Sequence, residues 1–232
     1  MLAPLHLPLD GADDAPLLRP TRFIESTAPE VVRFARETVG DAADDVERGV
    51  MLYYAVRDGF RYDPYRIRLV EECFRATTVL REGAAFCIPK AVLLAAAARA
   101  VGIPSALGFA DVKNHLTTAR LREAIGTDLF IFHGYTLLKL AGRWVKATPA
   151  FNQSLCERFG VKPLDFDGRS DALLHPFDAQ NRRHMEYVHD RGVYADFPFQ
   201  EVVSSFRSYY ARYFGQDLRD GRAFEEETPL TS

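Results

Sequence analysis

The chain has 232 residues, enough for one sizeable domain, and its 47% apolar and 26% charged residues are the balance of an ordinary water-soluble globular protein. A formal net charge of −3 removes the electrostatic case for nucleic acid or an anionic membrane surface as partner. Three cysteines (Cys73, Cys87 and Cys156) stand at wide, irregular spacing, which indicates neither a disulfide framework nor a zinc-binding pair and fits a reducing, cytoplasmic compartment.

The segment Met1–Asp10 lacks the basic residues and long apolar core of a signal peptide, and the longest fully apolar run, Ala91–Ala98, is too short to span a bilayer. Residues 1–27, rich in proline and aspartate, read as an extended arm. Thr27 with Glu30 makes a capping box and Pro29 fits a first turn, so a helix is expected over 28–39, ended by Gly40. Val46, Val50, Met51, Tyr54 and Ala55 recur at helical spacing and predict a second helix over 43–58. Arg61-Tyr62-Asp63-Pro64 turns the chain, and residues 76–86, containing Gly83, read as a loop. The run from Ile88 to Val101 is then apolar nearly all round, with Pro89 in its first turn and Gly102 at its end. Such a helix belongs inside a protein.

Beyond it, residues 102–110 read as a turn and a strand, and 115–126 as an ambiguous stretch suited to a helical insertion. Asp128–Leu140 is strand-like, and Ala141-Gly142-Arg143 leads tightly into Trp144–Thr148, so a hairpin is expected. Asn152–Gly160 predicts a short helix, 183–195 a strand pair around Asp190-Arg191-Gly192, and Phe199–Phe214 an amphipathic helix. The tail containing Glu225–Glu227 reads as loose. With no repeat and no low-complexity segment, one domain over 28–215 is expected between an arm (1–27) and a loose acidic tail (216–232). Helices followed by an antiparallel sheet make the fold class α+β.

Cys87 stands at the start of the buried helix, where unpaired N–H groups and the macrodipole favour a thiolate. A cysteine nucleophile needs a base, and the base needs a group to orient it. Of the six histidines, His133 is placed best, mid-strand and beside Gly134, on a face expected to hold Ile131, Tyr135 and Leu137. The competing structural reading is a core histidine with a satisfied hydrogen bond. His175, His184 and His189 with Cys156 have poor metal-ligand spacing, so no metal is expected. Arg182-Arg183-His184 with Glu186 and Asp190 reads as a surface ion-pair face or as a holder for an acidic substrate group, and Cys73 and Cys156 as structural thiols. Arg61 and Tyr62 are placed to line the mouth of a site, whereas Trp144 and the aromatic set at 209–214 suit packing.

Gly83-Ala-Ala-Phe-Cys87-Ile-Pro-Lys90-Ala91, Arg99-Ala-Val-Gly102-Ile103-Pro104, His133-Gly-Tyr and Gly142-Arg-Trp144-Val145-Lys-Ala-Thr148-Pro149 together resemble the transglutaminase-like superfamily over roughly residues 45–150. The Asp63-Pro64 turn is also similar to the family pattern. The resemblance implies a papain-like cysteine proteinase type of fold, with a buried nucleophile helix packed on an antiparallel sheet. It makes Cys87 the nucleophile and His133 the general base. Thr148 stands where the family usually has aspartate; threonine can orient an imidazole but carries no charge to stabilise an imidazolium. Asn152 is an alternative orienting amide, and Asp165 or Asp167 could fold back.

The chemistry implied is attack on an amide, ester or thioester, with a covalent acyl-enzyme passed to water or to an amine. The partner is then a peptide, protein or small-molecule acyl substrate, and no metal or organic cofactor is needed. The alternative is the same fold with a weakened or inactive site, binding a peptide or protein partner in the cleft.

Overall fold

The computed structural model describes residues 13–114, 117–173, 185–215 and 223–229. Helix α1 (Pro29–Val39) begins on its proline without a side-chain cap, so the expected Thr27–Glu30 box does not form. The box lies one helix later: Asp44 accepts from the Glu47 N–H at 2.9 Å at the start of α2 (Asp45–Gly59), and the Glu47 carboxylate reaches back to the Ala43 N–H at 2.8 Å. Strand β1 (Arg61–Tyr62) pairs in parallel with β2 (Ala84–Ala85), setting Tyr62 opposite Ala85. The expected loop between them carries a helix, α3 (Ala76–Glu82), stopped by Gly83 at φ +67°. Its two threonines are poor helix formers, and burial of Ala76 and Val79 overrides them.

Helix α4 (Cys87–Ala100) has every residue from Cys87 to Arg99 buried, as an all-round apolar sequence requires. It is wrapped by α1, α2 and α3 and lies on an antiparallel sheet of order β5-β4-β3-β6, made of β3 (Ser105–Asn114), β4 (Leu129–Leu140), β5 (Arg143–Ala147) and β6 (Met185–Tyr194). The β4–β5 hairpin matches its sequence signal, and the ambiguous insertion holds α5 (Ala119–Ile125). Helix α6 (Gln153–Phe159) follows the hairpin. The single helix expected over 199–214 divides at Tyr210 into α7 (Phe199–Tyr209) and α8 (Ala211–Phe214).

Three expectations need correction. Residues 185–194 form one strand, because Asp190-Arg191-Gly192 makes a bulge rather than a turn: Phe109 pairs with Gly192 and Ala110 with Asp190, leaving Arg191 extra, with Gly192 at φ +93°. The described part of the arm is packed, with Leu17, Phe23 and Ile24 buried and Phe23 edge-on to Phe197 at 5.2 Å. Residues 223–229 of the tail are also packed: Phe224 is buried, and Glu227 bonds the Tyr65 hydroxyl and Arg120 at 2.9 Å each. Among the described residues no helix is long and apolar enough to cross a membrane.

Two cations interrupt the apolar helix, and both donate to backbone. Lys90 Nζ reaches the carbonyls of Arg57, Phe60 and Ala150 at 2.8, 2.6 and 2.8 Å. Arg99 reaches those of Arg19, Ser105 and Ala195 at 2.6, 2.7 and 2.7 Å, and the Ser105 hydroxyl at 3.2 Å. Burial pushes the Lys90 pKa down to about 7, while three carbonyls within hydrogen-bond distance match the three N–H donors of the ammonium form. Lys90→Met keeps the apolar stem and strands three buried carbonyls, so it should destabilise the fold by about 3 kcal/mol or more in urea denaturation. A loss below about 1 kcal/mol would contradict the structural role assigned to this tripod.

Candidate active site

Cys87 is the first residue of α4 and is 9% exposed. Its sulfur lies against the backbone N–H groups of Gly134, Ile88 and Cys87 itself, all of which favour the thiolate. Burial outweighs them and pushes the thiol up to about 11. The expectation of a resting thiolate is therefore corrected: the helix terminus supplies donors, but desolvation dominates. Glycine at 134 suits this approach, since a Cβ there would stand 3.1 Å from the Ile88 Cα and require the start of α4 to give by a few tenths of an ångström.

His133 precedes Gly134 on β4, just after a kink. Phe132 has φ +54°, an uncommon conformation for a side chain of its size, and its N–H donates to the Asp111 carboxylate at 3.0 Å. Asp111 is itself held by Arg191 through contacts of 3.0, 3.1 and 2.7 Å, and the guanidinium lies 4.8 Å from the Phe132 ring centre. The Ile131 N–H donates to the Tyr210 hydroxyl at 2.6 Å. The kink breaks strand alternation. Ile131 belongs to the main core, whereas Tyr135 and Leu137 pack on the other face of the sheet with Leu17, Ala106 and Ala110, the ladder partner of His133, so of the face expected for His133 only Ile131 is lost. Gly134 and Thr136 face α4, the latter donating to the Ala91 carbonyl at 2.9 Å.

His133 is 4% exposed, and burial drives its pKa down to about 4. Its Nε2 has no hydrogen-bond partner, unlike a satisfied core histidine, and so is not bonded to the Cys87 thiol in this state. Thr148, 5% exposed, carries a second unpartnered atom, Oγ1. Both residues line one cavity of about 10 Å³, roofed by Phe151, Leu164 and Met185 and roomy enough for one water. The sequence-derived residues thus come together in two pairs: His133 with Thr148 across a shared cavity, and Cys87 with the strand residue next to His133.

The alternative orienting groups are engaged elsewhere. Asn152 accepts the Tyr62 N–H at 2.9 Å and donates to Ser154 at 2.8 Å. Asp165 lies exposed, 4.0 Å from Arg57, and Asp167 accepts the N–H groups of Arg169 and Ser170 in its own turn. Tyr62 is buried, and desolvation, with a smaller contribution from nearby Cys87, raises its phenol well above the ordinary value, whereas Arg61 is exposed. His175 and His184 lie outside the described residues; among the described residues no group of three or more His, Cys, Asp or Glu could hold a metal. Residue-by-residue reading missed Lys90, Asp111 and Tyr210. Only Lys90 carried a signal, as a lone charge in an apolar helix.

Residues 32–149, just over half the sequence, match the Transglutaminase-like superfamily. The chain belongs to this family. No curated protein matches the sequence. Among solved structures, this superfamily member is similar to a "Putative Cysteine Protease" from Cytophaga hutchinsonii, at 16% identity and a TM-score of 0.47, over 81% of this chain and 57% of that one. It is also similar to a "putative protease" from Parabacteroides distasonis, at 19% identity and a TM-score of 0.40, over 58% of this chain and 26% of that one. The chain thus spans less than two thirds of the length of either structure.

The depressed His133 pKa fixes a pH dependence. The folded value of about 4 lies below the ordinary 6.5, so its contribution to stability is full above pH 6.5 and lost as pH falls towards 4. Between pH 7 and pH 4.5 the wild type should lose about 2–3 kcal/mol more stability than His133→Gln, measured by denaturation at both pH values. Parallel losses in the two proteins would contradict the buried neutral imidazole.

Proposed function

We propose that this transglutaminase-like chain performs cysteine-based acyl chemistry, with Cys87 as nucleophile, His133 as general base and Thr148 as the residue that orients the imidazole. The observation that carries the reading is the seating of Cys87 Sγ at the start of α4, among the N–H groups of Cys87, Ile88 and Gly134, one strand residue from His133. Family membership supports cysteine-based catalysis in general.

A thiol held up at about 11 and an imidazole held down at about 4 make a neutral resting pair. Proton transfer then accompanies attack. As Sγ bonds to the acyl carbon, His133 takes the thiol proton and the carbonyl π pair moves onto oxygen, where the surrounding N–H groups stabilise it. Collapse expels the amine, alcohol or thiol, which takes the proton back from His133 and leaves a thioester on Cys87. Water or an amine, deprotonated by His133, then attacks the thioester, and His133 returns that proton to the departing Cys87 sulfur. The step requires a Cys87–His133 hydrogen bond in the substrate complex; His133 Nε2 has no partner in the resting chain, so the imidazole must turn towards Cys87 for it to form. Thr148 Oγ1 acts by fixing the tautomer, directly or through one water of the shared cavity, because it supplies no negative charge. Three free, buried cysteines suit a reducing, cytoplasmic setting.

The lack of a carboxylate at Thr148 favours the second reading, a weakened site used for binding. Acylation of Cys87 by p-nitrophenyl acetate, read as mass added to its peptide, separates the two. Cys87→Ala should abolish it, His133→Ala should slow it by about 10²–10⁴-fold, and Thr148→Val by about tenfold, with Thr148→Ser restoring most of the rate. Acylation shared equally by the three cysteines, or indifferent to His133, would leave only the binding module.

A further inference from the structure

A second small cavity, also about 10 Å³, lies beside the candidate site and is mainly apolar, with Phe130, Phe151, Leu155, Phe159, Tyr62 and Phe224 among its walls and Asn114 as a polar member. Its position is defined on two sides. Tyr62 sits opposite Ala85, two residues before Cys87. Phe151 walls both this cavity and the one shared by His133 and Thr148, and the Tyr62 and Phe151 rings meet edge-on at 4.7 Å. The space therefore abuts the nucleophile through one ring and the base through another. Little of it is open, because the Phe224 ring of the C-terminal segment stands in its wall, and ring and cavity together make up the slot: the ring is 4% exposed and lies 5.7 Å from Tyr62, 6.0 Å from Tyr65 and 5.3 Å from Phe159. The chain around Phe224 is fastened by polar contacts at the rim. Glu225 meets Ser154, the Glu226 carbonyl accepts from Arg158 at 3.3 Å, Glu227 bonds Tyr65 and Arg120, and Pro229 pairs with Thr118. An apolar side chain inserted from a separate segment, with polar anchors outside, is the arrangement by which a peptide side chain occupies a specificity pocket.

We propose that this slot is the subsite for a large apolar side chain, aromatic by preference, on the acyl donor, and that Phe224 occupies it in the resting chain and must leave for substrate to enter. The inference rests on the acyl-transfer reading for the identity of the occupant. It also accounts for a candidate nucleophile only 9% exposed.

Cys156 lines the slot and is 1% exposed, so it reports on opening independently of Cys87; Cys73, whose sulfur donates to the Arg66 carbonyl at 3.2 Å, is a control elsewhere. Iodoacetamide labelling of each cysteine is measured by peptide mass in wild type, Phe224→Ala and Glu227→Ala. Phe224→Ala should raise labelling of Cys156 and Cys87 about tenfold with Cys73 unchanged, and Glu227→Ala should raise it less. N-acetylphenylalanine amide should slow labelling of Phe224→Ala, and N-acetylglycine amide should not. Unchanged Cys156 labelling in both variants overturns the proposal. So does a rise at all three cysteines in Phe224→Ala with none at Cys156 in Glu227→Ala, and so does equal protection by the two amides. If Cys156 opens and the phenyl amide protects it while Cys87 accepts no acyl group, the slot stands and the acyl-transfer reading falls.

Discussion

Complete burial of α4 is the constraint on which the rest of the structure depends. A helix without a polar face must be covered on all sides, and here the two cations along it decide what covers each end. Neither is neutralised by a carboxylate within the helix; each is solvated by carbonyls that would otherwise lack donors. Near Cys87, Lys90 gathers the end of α2, the entry to β1 and Ala150 beyond β5. That is the segment on which Thr148 and Asn152 are carried and against which Tyr62 is set. At the far end, Arg99 gathers the arm, the start of β3 and the chain after β6. The same helix that presents the candidate nucleophile thus organises the walls around it.

The opposite wall is fixed by a different device. β4 runs regularly from the hairpin as far as His133 and then departs from it at Phe132, where Asp111 and Tyr210 take up the N–H groups that the kink removes from the ladder. The Arg191 bulge on β6 supplies the counter-charge. Two irregularities on strands either side of β3 are therefore one construction, and its consequence is local to the site. It leaves Gly134 facing the Cys87 turn and His133 turned towards Thr148. Strain held beside a candidate catalytic residue is where such strain tends to be found.

The fold was legible in the sequence wherever one physical signal dominated. The apolar run of α4, the turn at Gly102 and the alternation leading into Ala141-Gly142 each point to one outcome, and the family motifs lie along these elements. Legibility failed where tertiary contacts reversed a local preference. Thr77 and Thr78 concealed α3, and Asp190-Arg191-Gly192 has turn composition but serves as a bulge because Arg191 is needed at Asp111. Phe224, in an acidic context, gave no sign of the aromatic slot waiting for it. Of the candidate site, the motifs pointed to the positions of Cys87, His133 and Thr148, but not to the state of Cys87. The helix terminus is visible in sequence, whereas the desolvation that outweighs it depends on everything packed around α4.

A neutral Cys87 thiol and a neutral His133 imidazole at rest are the central claim, and the pH profile of Cys87 alkylation by iodoacetamide in wild type and His133→Ala tests it most directly. The account predicts a rate that keeps rising through pH 9–10 towards a thiol pKa of about 11, with the same profile in both proteins. A plateau reached below pH 7 in the wild type and lost in His133→Ala would mean that His133 already ionises Cys87 at rest, and would contradict it.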